Sequence, residues 1–251
     1  MLYRKQLWTM LHAIALGAGC GEVVRTQPDA MSDTPGVDAS ADASADPSAD
    51  AAIPEDAPDI APPSTIALTA GGMTGVYGAS GDEFVDVCPS GQALTGFQGA
   101  TGPYRGSSIM SIQQIAARCS TVRVGSGTGD TYTTTSIAGA TLATHGTATT
   151  TLWTTDCPSG QFVVGVSGHT GATLDKLQLN CAPVSLNHSG TGWVGRIGDV
   201  TILEGVGGNG GGPAMQLCVT DQIVTTARVN VETAAGSIAG LALDCGVVAA
   251  Q

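Results

Sequence analysis

The sequence predicts an all-β fold built from three antiparallel, Greek-key-like repeats, and three observations carry that expectation. Cysteine-led segments recur without a gap: Cys88-Pro-Ser-Gly-Gln-Ala-Leu-Thr-Gly-Phe-Gln-Gly, Cys157-Pro-Ser-Gly-Gln-Phe-Val-Val-Gly-Val-Ser-Gly and, more worn, Cys218-Val-Thr-Asp-Gln-Ile-Val-Thr-Thr-Ala-Arg-Val. Each closes on a second cysteine after an alternating run, at Ile112–Cys119, Leu174–Cys181 and Ile238–Cys245. Alternation of apolar and polar residues recurs throughout, and no stretch sustains a period of 3.6. Periodic copies of one supersecondary unit imply a pseudo-symmetric fold whose core is complete only when the units pack together. Three units of about four strands give about twelve strands around an approximate threefold axis, which is a β-prism.

The first segment, residues 1–19, has Arg4 and Lys5 followed by an apolar run from Leu7 to Ala18. That is the pattern of a secretory signal peptide, too short in its apolar part to span a bilayer. Leu16-Gly-Ala-Gly-Cys20 resembles a bacterial lipobox, in which the cysteine becomes the lipidated first residue of the mature chain. Gly17 stands where a leucine is usual, and Leu16 lies one residue early. The count of seven cysteines agrees with lipidation, since three repeat pairs leave Cys20 alone. An exported protein on the outer membrane or cell surface is the expectation, with release to the periplasm or medium as the alternative.

Residues 20–64 change composition abruptly. Asp38, Asp42, Asp46 and Asp50 recur every four residues among Ala and Ser, and Pro47, Pro54, Pro58, Pro62 and Pro63 follow. Ordering such a segment costs entropy with no apolar burial in return, so it reads as an acidic, disordered tether. A flexible chain of about 40 residues has an r.m.s. reach of ~35 Å. The tether holds ten of the 21 acidic residues, so the net charge of −12 mostly describes it. With no basic patch left in the folded part, nucleic acid is not an expected partner.

The folded domain is read as residues 65–251, with repeats at about 65–124, 125–186 and 187–251. In the middle repeat, Gln161–Gly168 and Thr173–Asn180 alternate, and His169-Thr-Gly-Ala between them is turn chemistry. Each repeat therefore contains an antiparallel hairpin with both cysteines near its open end, within disulfide range. The expected pairs are Cys88–Cys119, Cys157–Cys181 and Cys218–Cys245, each contributing ~3 kcal/mol through its closed loop. Ahead of each cysteine lies another strand pair. Gly75–Phe84 and Gly205–Ala214 align at equal distance from Cys88 and Cys218, while Thr-rich Thr147–Trp153 fills that place in the middle copy.

The Cys-Pro-Ser-Gly opening, the Gly-Phe/Val strand and the closing cysteine resemble the repeat of the vitelline membrane outer layer protein family, whose fold is a three-sheet β-prism. Separately, Gly165-Val-Ser-Gly-His-Thr-Gly-Ala-Thr-Leu-Asp175 resembles a stretch of jacalin-related lectins, which share that prism, and Gly205–Pro213 resembles their glycine-rich first loop. The fold-level resemblance covers roughly Thr65 to Val248; the lectin-like motif covers one repeat and one loop. It implies a sugar site made by the turn Gly171–Asp175 and by the loop Gly207, Gly208, Asn209, Gly210, Gly211 and Gly212, with His169 at its edge. The chemistry suits a polyol: a carboxylate accepts two hydroxyl hydrogen bonds, and glycine lets a ligand approach the backbone. The equivalents of Asp175 are Gln113 and Ala239, so one complete site per chain is expected. Asp175 as an ordinary exposed strand residue, with the glycines as mere turns, is the competing reading. Tyr77, Tyr104, Trp153 and Trp193 are the aromatic candidates for packing on a sugar ring.

Catalysis finds little support. His145, His169 and His188 lie in dissimilar contexts, and paired cysteines leave neither a thiol nucleophile nor a thiolate metal site. Asp82, Glu83 and Asp86 read as a solvated acidic edge, not as the facing pair a glycosidase needs. No cofactor or metal is expected. A weak carbohydrate-binding module leads, ahead of a structural or adhesive coat protein making protein contacts and, further back, a glycan-active enzyme. Lipidation is checked directly: metabolic labelling with a fatty-acid analogue should mark the wild type, and Cys20→Ser should move the protein to the soluble fraction. An unlabelled, soluble wild type would restore ordinary secretion.

Overall fold

The computed structural model describes residues 60–190 and 192–251; the expected leader and nearly all of the tether lie outside the described residues. The strands are β1 (Ile66–Met73), β2 (Tyr77–Gly78), β3 (Asp82–Val87), β4 (Gln92–Pro103), β5 (Met110–Thr128), β6 (Thr131–Gly146), β7 (Thr151–Asp156) and β8 (Gln161–Thr170). They continue with β9 (Leu174–Ser189), β10 (Gly192–Ile197), β11 (Thr201–Ile202), β12 (Val206–Gly207), β13 (Gly212–Leu217), β14 (Gln222–Val231) and β15 (Ile238–Ala250).

Three hairpins, β4–β5, β8–β9 and β14–β15, form the centre of three sheets. Each hairpin is flanked by the strands that lead into the next cysteine. Thus β7 lies on β4 and β6 on β5, while β13 lies on β8 and β11 and β12 on β9. The third sheet closes the circle with strands from the start of the chain: β3 lies on β14, and β1 and β2 lie on β15. Counting the broken edges β1/β2 and β11/β12 once each, and setting β10 aside, gives three sheets of four strands, the expected β-prism. β10 bridges β9 and β15, and the start of β6 pairs with the end of β9, so the sheets are also stitched to one another.

One hydrogen bond repeats around the axis. The backbone N–H of Cys157 donates to Thr95 O (2.7 Å), that of Cys218 to Val164 O (2.8 Å) and that of Cys88 to Thr225 O (3.0 Å). Thr95, Val164 and Thr225 each lie seven residues after their own repeat's first cysteine. At each of them the hairpin ladder slips by one residue, between Leu94 and Gly96, Val163 and Gly165, and Val224 and Thr226. Such a bulge leaves one residue unpaired within its hairpin, so its carbonyl is available to the neighbouring strand. The disulfides are Cys88–Cys119, Cys157–Cys181 and Cys218–Cys245, with Cα separations of 5.7, 5.6 and 5.8 Å. They are the expected pairs.

The main core is layered with the same symmetry. Leu94, Val163 and Val224 make one buried ring, and Ile115, Leu177 and Leu241 make another. Between them, directly opposed cross-strand partners trade volume: Phe97 faces Ala117, Val166 faces Leu179, and Ala227 faces Leu243. All six are fully buried. A second core forms where β5, β9 and β15 run on past their cysteines. Val122, Val184 and Val248 meet Phe162, Ile223 and Trp193 there. Trp193 is thus a core residue, packed edge-on against Tyr132 and His188.

The acidic edge differs from expectation at one residue. Asp86 is buried, and its Oδ2 lies 2.9 Å from Nε2 of His145, whose ring stacks on Phe84 with centroids 4.5 Å apart. Asp82 and Glu83, on opposite faces of β3, are both exposed, as expected. Alternation could not show that β6, from the next sheet, covers the face that Asp86 presents.

The opposed pairs yield a prediction. Phe97→Val should cost about 2–3 kcal/mol by leaving a void beside Ala117. Adding Ala117→Leu recreates the Val166–Leu179 pairing and should restore more than half of that loss in urea unfolding. Additive destabilisation in the double variant would show that the repeats do not share one packing rule.

Candidate functional site

All three hairpin tips and the three loops ahead of β3, β7 and β13 gather at one end of the prism. The same backbone contact builds each place. Ala79 N–H donates to Ala239 O, Thr147 N–H to Gln113 O and Gly208 N–H to Asp175 O, at 3.0, 2.8 and 2.8 Å. The residue ahead of each donor is a glycine with positive φ (Gly78, Gly146 and Gly207), because its Cα sits against that same carbonyl where a Cβ would collide. The ungapped alignment of the outer strands therefore slips here. Gly207 precedes its cysteine by eleven residues and Gly78 by ten, so the loop before β3 is one residue shorter.

Two residues before Gln113, Asp175 and Ala239 stand Ser111, Thr173 and Ser237, three buried hydroxyls at one place in the repeat. Their partners differ. Gln113 Nε2 donates to Ser111 (2.7 Å), Ser237 donates to Glu232 Oε2 (3.1 Å), and Thr173 Oγ1 donates to Asp175 Oδ1 (3.0 Å). The middle position alone places an acid on the hairpin beside a glycine loop. Thr173 was readable from its spacing to the cysteines, but a hydroxyl in a turn reads as turn chemistry first.

The predicted residues take distinct places. A Cβ on Gly210 would lie 3.0 Å from Asp175 Cγ, and one on Gly211 would lie 2.8 Å from Asp175 Oδ2. Gly211 has φ +59°, a second reason for glycine there. Gly171 lies next to Gly211, its Cβ position 3.5 Å from Gly211 Cα and 3.9 Å from Asp175 Oδ2. Gly207 and Gly208 lie instead along the Asp175 backbone, and Asn209 Oδ1 accepts from Lys176 Nζ at 3.4 Å. Gly212 begins β13 opposite Thr170, with open space where its Cβ would be. His169 is half-buried beside these residues, and its Nδ1 is buried without a protein partner.

Asp175 is not an exposed strand residue, for it is 4 % exposed. Burial raises its carboxyl above the ordinary value, while the Thr173 hydroxyl and the nearby His169 ring pull it partly back. Beneath it Tyr77 is fully buried and donates its hydroxyl to Lys176 O (3.0 Å). Burial, and then the Asp175 charge, push that phenol above its usual range. Tyr77 is therefore packing. Trp153 is half-buried against the main core, and Tyr104 Oη donates to Glu232. The apolar neighbours of the glycine loop are Ile109, whose Cγ2 lies 2.7 Å from the Cβ position of Gly210, and Met110 beside Gly208.

No family model and no curated protein matches the chain. Among solved structures, a prostate-specific WGA16 glycoprotein lectin is similar with a TM-score of 0.42 and 14 % identity, over 70 % of this chain and 98 % of that one. A mannose-binding lectin from Champedak gives 0.38 and 9 %, covering 70 % and 97 %. Frutapin, a lectin from Artocarpus incisa, gives 0.37 and 12 %, covering 71 % and 97 %. The reading of the site rests on its own geometry.

Because its pKa is raised on folding, Asp175 favours the folded state most when protonated, and that contribution is lost as pH rises through its folded value. Asp175→Asn keeps the shape and the acceptor for Thr173 without the charge. Its melting temperature should match or exceed wild type at neutral pH, and the advantage should shrink on acidification towards roughly pH 3. A variant melting well below wild type at neutral pH would contradict the assigned surroundings.

Proposed function

We propose that this chain is a carbohydrate-binding, lectin-like module with one complete site, made by Gly171–Asp175 and the loop from Gly207 to Gly212. The observation that carries the reading is the Asp175 carboxylate, pinned by Thr173 through Oδ1 and lined at Oδ2 by Gly171 and Gly211. A fixed acceptor beside glycine backbone suits the hydroxyls of a sugar, because the carboxylate is oriented in advance and the glycines add no side chain of their own. The motif's resemblance to jacalin-related lectins lies in the same direction. The role is recognition, with Asp175 as acceptor and His169 as the polar neighbour at the rim. For delivery, the basic-then-apolar leader, the lipobox-like residues before Cys20 and the acidic segment support an exported protein, lipid-anchored at the cell surface and displayed on its tether.

A glycan array tests the site. Asp175→Ala removes charge-assisted hydrogen bonds worth ~1.5–3 kcal/mol each, enough to abolish detectable binding by a weak site. Gly210→Val should act similarly by driving a side chain against the carboxylate, whereas Gln113→Ala, at the matching position of the first repeat, should bind as wild type. Undiminished glycan binding by Asp175→Ala would overturn the single-site reading, and binding to proteins alone would favour the coat role.

A further inference from the structure

A large cavity lies at the other end of the prism, on a different sheet. It measures about 500 Å³ and crosses the third sheet from Val87 on β3, over Arg228 on β14 and Asp244 on β15, to Gly71–Met73 on β1. The turn from Cys88 to Gln92 forms its remaining wall. The corresponding clefts of the other two repeats are smaller, about 200 Å³ beside Cys119 and Cys157 and about 230 Å³ beside Cys218.

Its volume sets this cleft apart, and two observations describe its lining. First, β1 carries an extra residue against β15: Ala70 pairs with Gly246 and Met73 with Asp244, so Gly71 and Gly72 form a bulge in the cleft wall, as Gly139 and Ala140 do on β6 in the first sheet. Second, the floor is a planar array of donors and acceptors. Arg228 Nε and Nη2 donate to Asp244 Oδ1 and Oδ2 at 2.8 and 3.0 Å, and Nη1 donates to Glu83 Oε1 at 3.1 Å. Asp244 grips one edge of the guanidinium with both carboxylate oxygens, and Glu83 adds to it, raising its pKa further. Above this floor stand Met73 and Val87, 66 % and 62 % exposed.

We propose that this cleft is a second ligand site, for a neutral polyhydroxylated chain such as an oligosaccharide. Arg228 and Asp244 are the charged residues of the lining and balance one another, so the cleft offers no surplus cation to a sulfated or phosphorylated ligand. Arg228 and Asp244 present a fixed donor and acceptor side by side, as vicinal hydroxyls require, while Met73 and Val87 offer apolar walls to the C–H face of a sugar ring. The site is independent of Asp175, and occupation of both would let one chain bridge two glycans.

Methyl NMR of methionine-labelled protein separates the sites. Met73 reports on the cleft; Met110, whose Cβ lies 3.1 Å from the Cβ position of Gly208, reports on the Asp175 site. Met215, 56 % exposed on the second sheet, serves as control. Titration with a panel of neutral hexasaccharides should move Met73 saturably and leave Met215 in place, both in wild type and in Asp175→Ala. Val87→Ser, at an exposed position, should weaken the Met73 response about tenfold while the other methionine signals stay put. A sulfated oligosaccharide should leave Met73 unmoved. Met73 still under every neutral chain, or moving in step with Met215, would overturn the cleft site and leave the Asp175 reading intact. A Met110 signal that no sugar moves would count against Asp175 alone.

Discussion

The hydrogen bond from each leading cysteine to the bulge carbonyl of the preceding repeat is the constraint on which the rest of the fold depends. It fixes where an edge strand begins on a hairpin that is not its own, and with that start the whole register follows. Cys157 reaches Thr95, Cys218 reaches Val164, and Cys88 reaches back to Thr225. No sheet is therefore built from one repeat. The hairpin supplies the middle, the next repeat supplies the edges, and the last sheet needs both ends of the chain. The disulfides sit at these crossings, so each staples a hairpin close to where its neighbour's strand arrives.

On this symmetric frame the sequence varies by compensation. Phe97 with Ala117 and Val166 with Leu179 fill like spaces with the bulk moved from one strand to the other, while Ala227 with Leu243 is a smaller pair. Interiors packed to crystal-like density accept such exchanges only when the summed volume is kept. The buried hydroxyls at the tips follow a polar version of the rule. Ser111, Thr173 and Ser237 stay, while their partners become an amide, a strand carboxylate and a carboxylate from the turn. Symmetry sets the socket, and one partner in three gives it a charge beside open backbone.

Much of this was legible because the repeat aligns without gaps around its cysteines. Hairpins, disulfide pairs and a threefold all-β fold follow from spacing and alternation alone. So does the meeting of Asp175 with a glycine-rich loop some 35 residues later, since that loop occupies a fixed place in the repeat. The exchange of edge strands was not legible, because periodicity marks where strands lie and not which hairpin they join. The Asp86–His145 contact was hidden for the same reason, since its partners are 59 residues apart on strands of different sheets. The loop before β3, shorter by one residue, shows the limit of ungapped alignment in turns, where length is tolerated.

The pairing of Ile66 with Ala250 and of Met73 with Asp244 gives the chain a direction of entry. β1 comes in at the open, disulfide end of the third hairpin and runs towards the tips. Ile66 and Ala250 thus lie together at the end of the prism away from Asp175. A partner domain joined directly after Ala250 would begin at that end, on the far side of the core from the glycine loop.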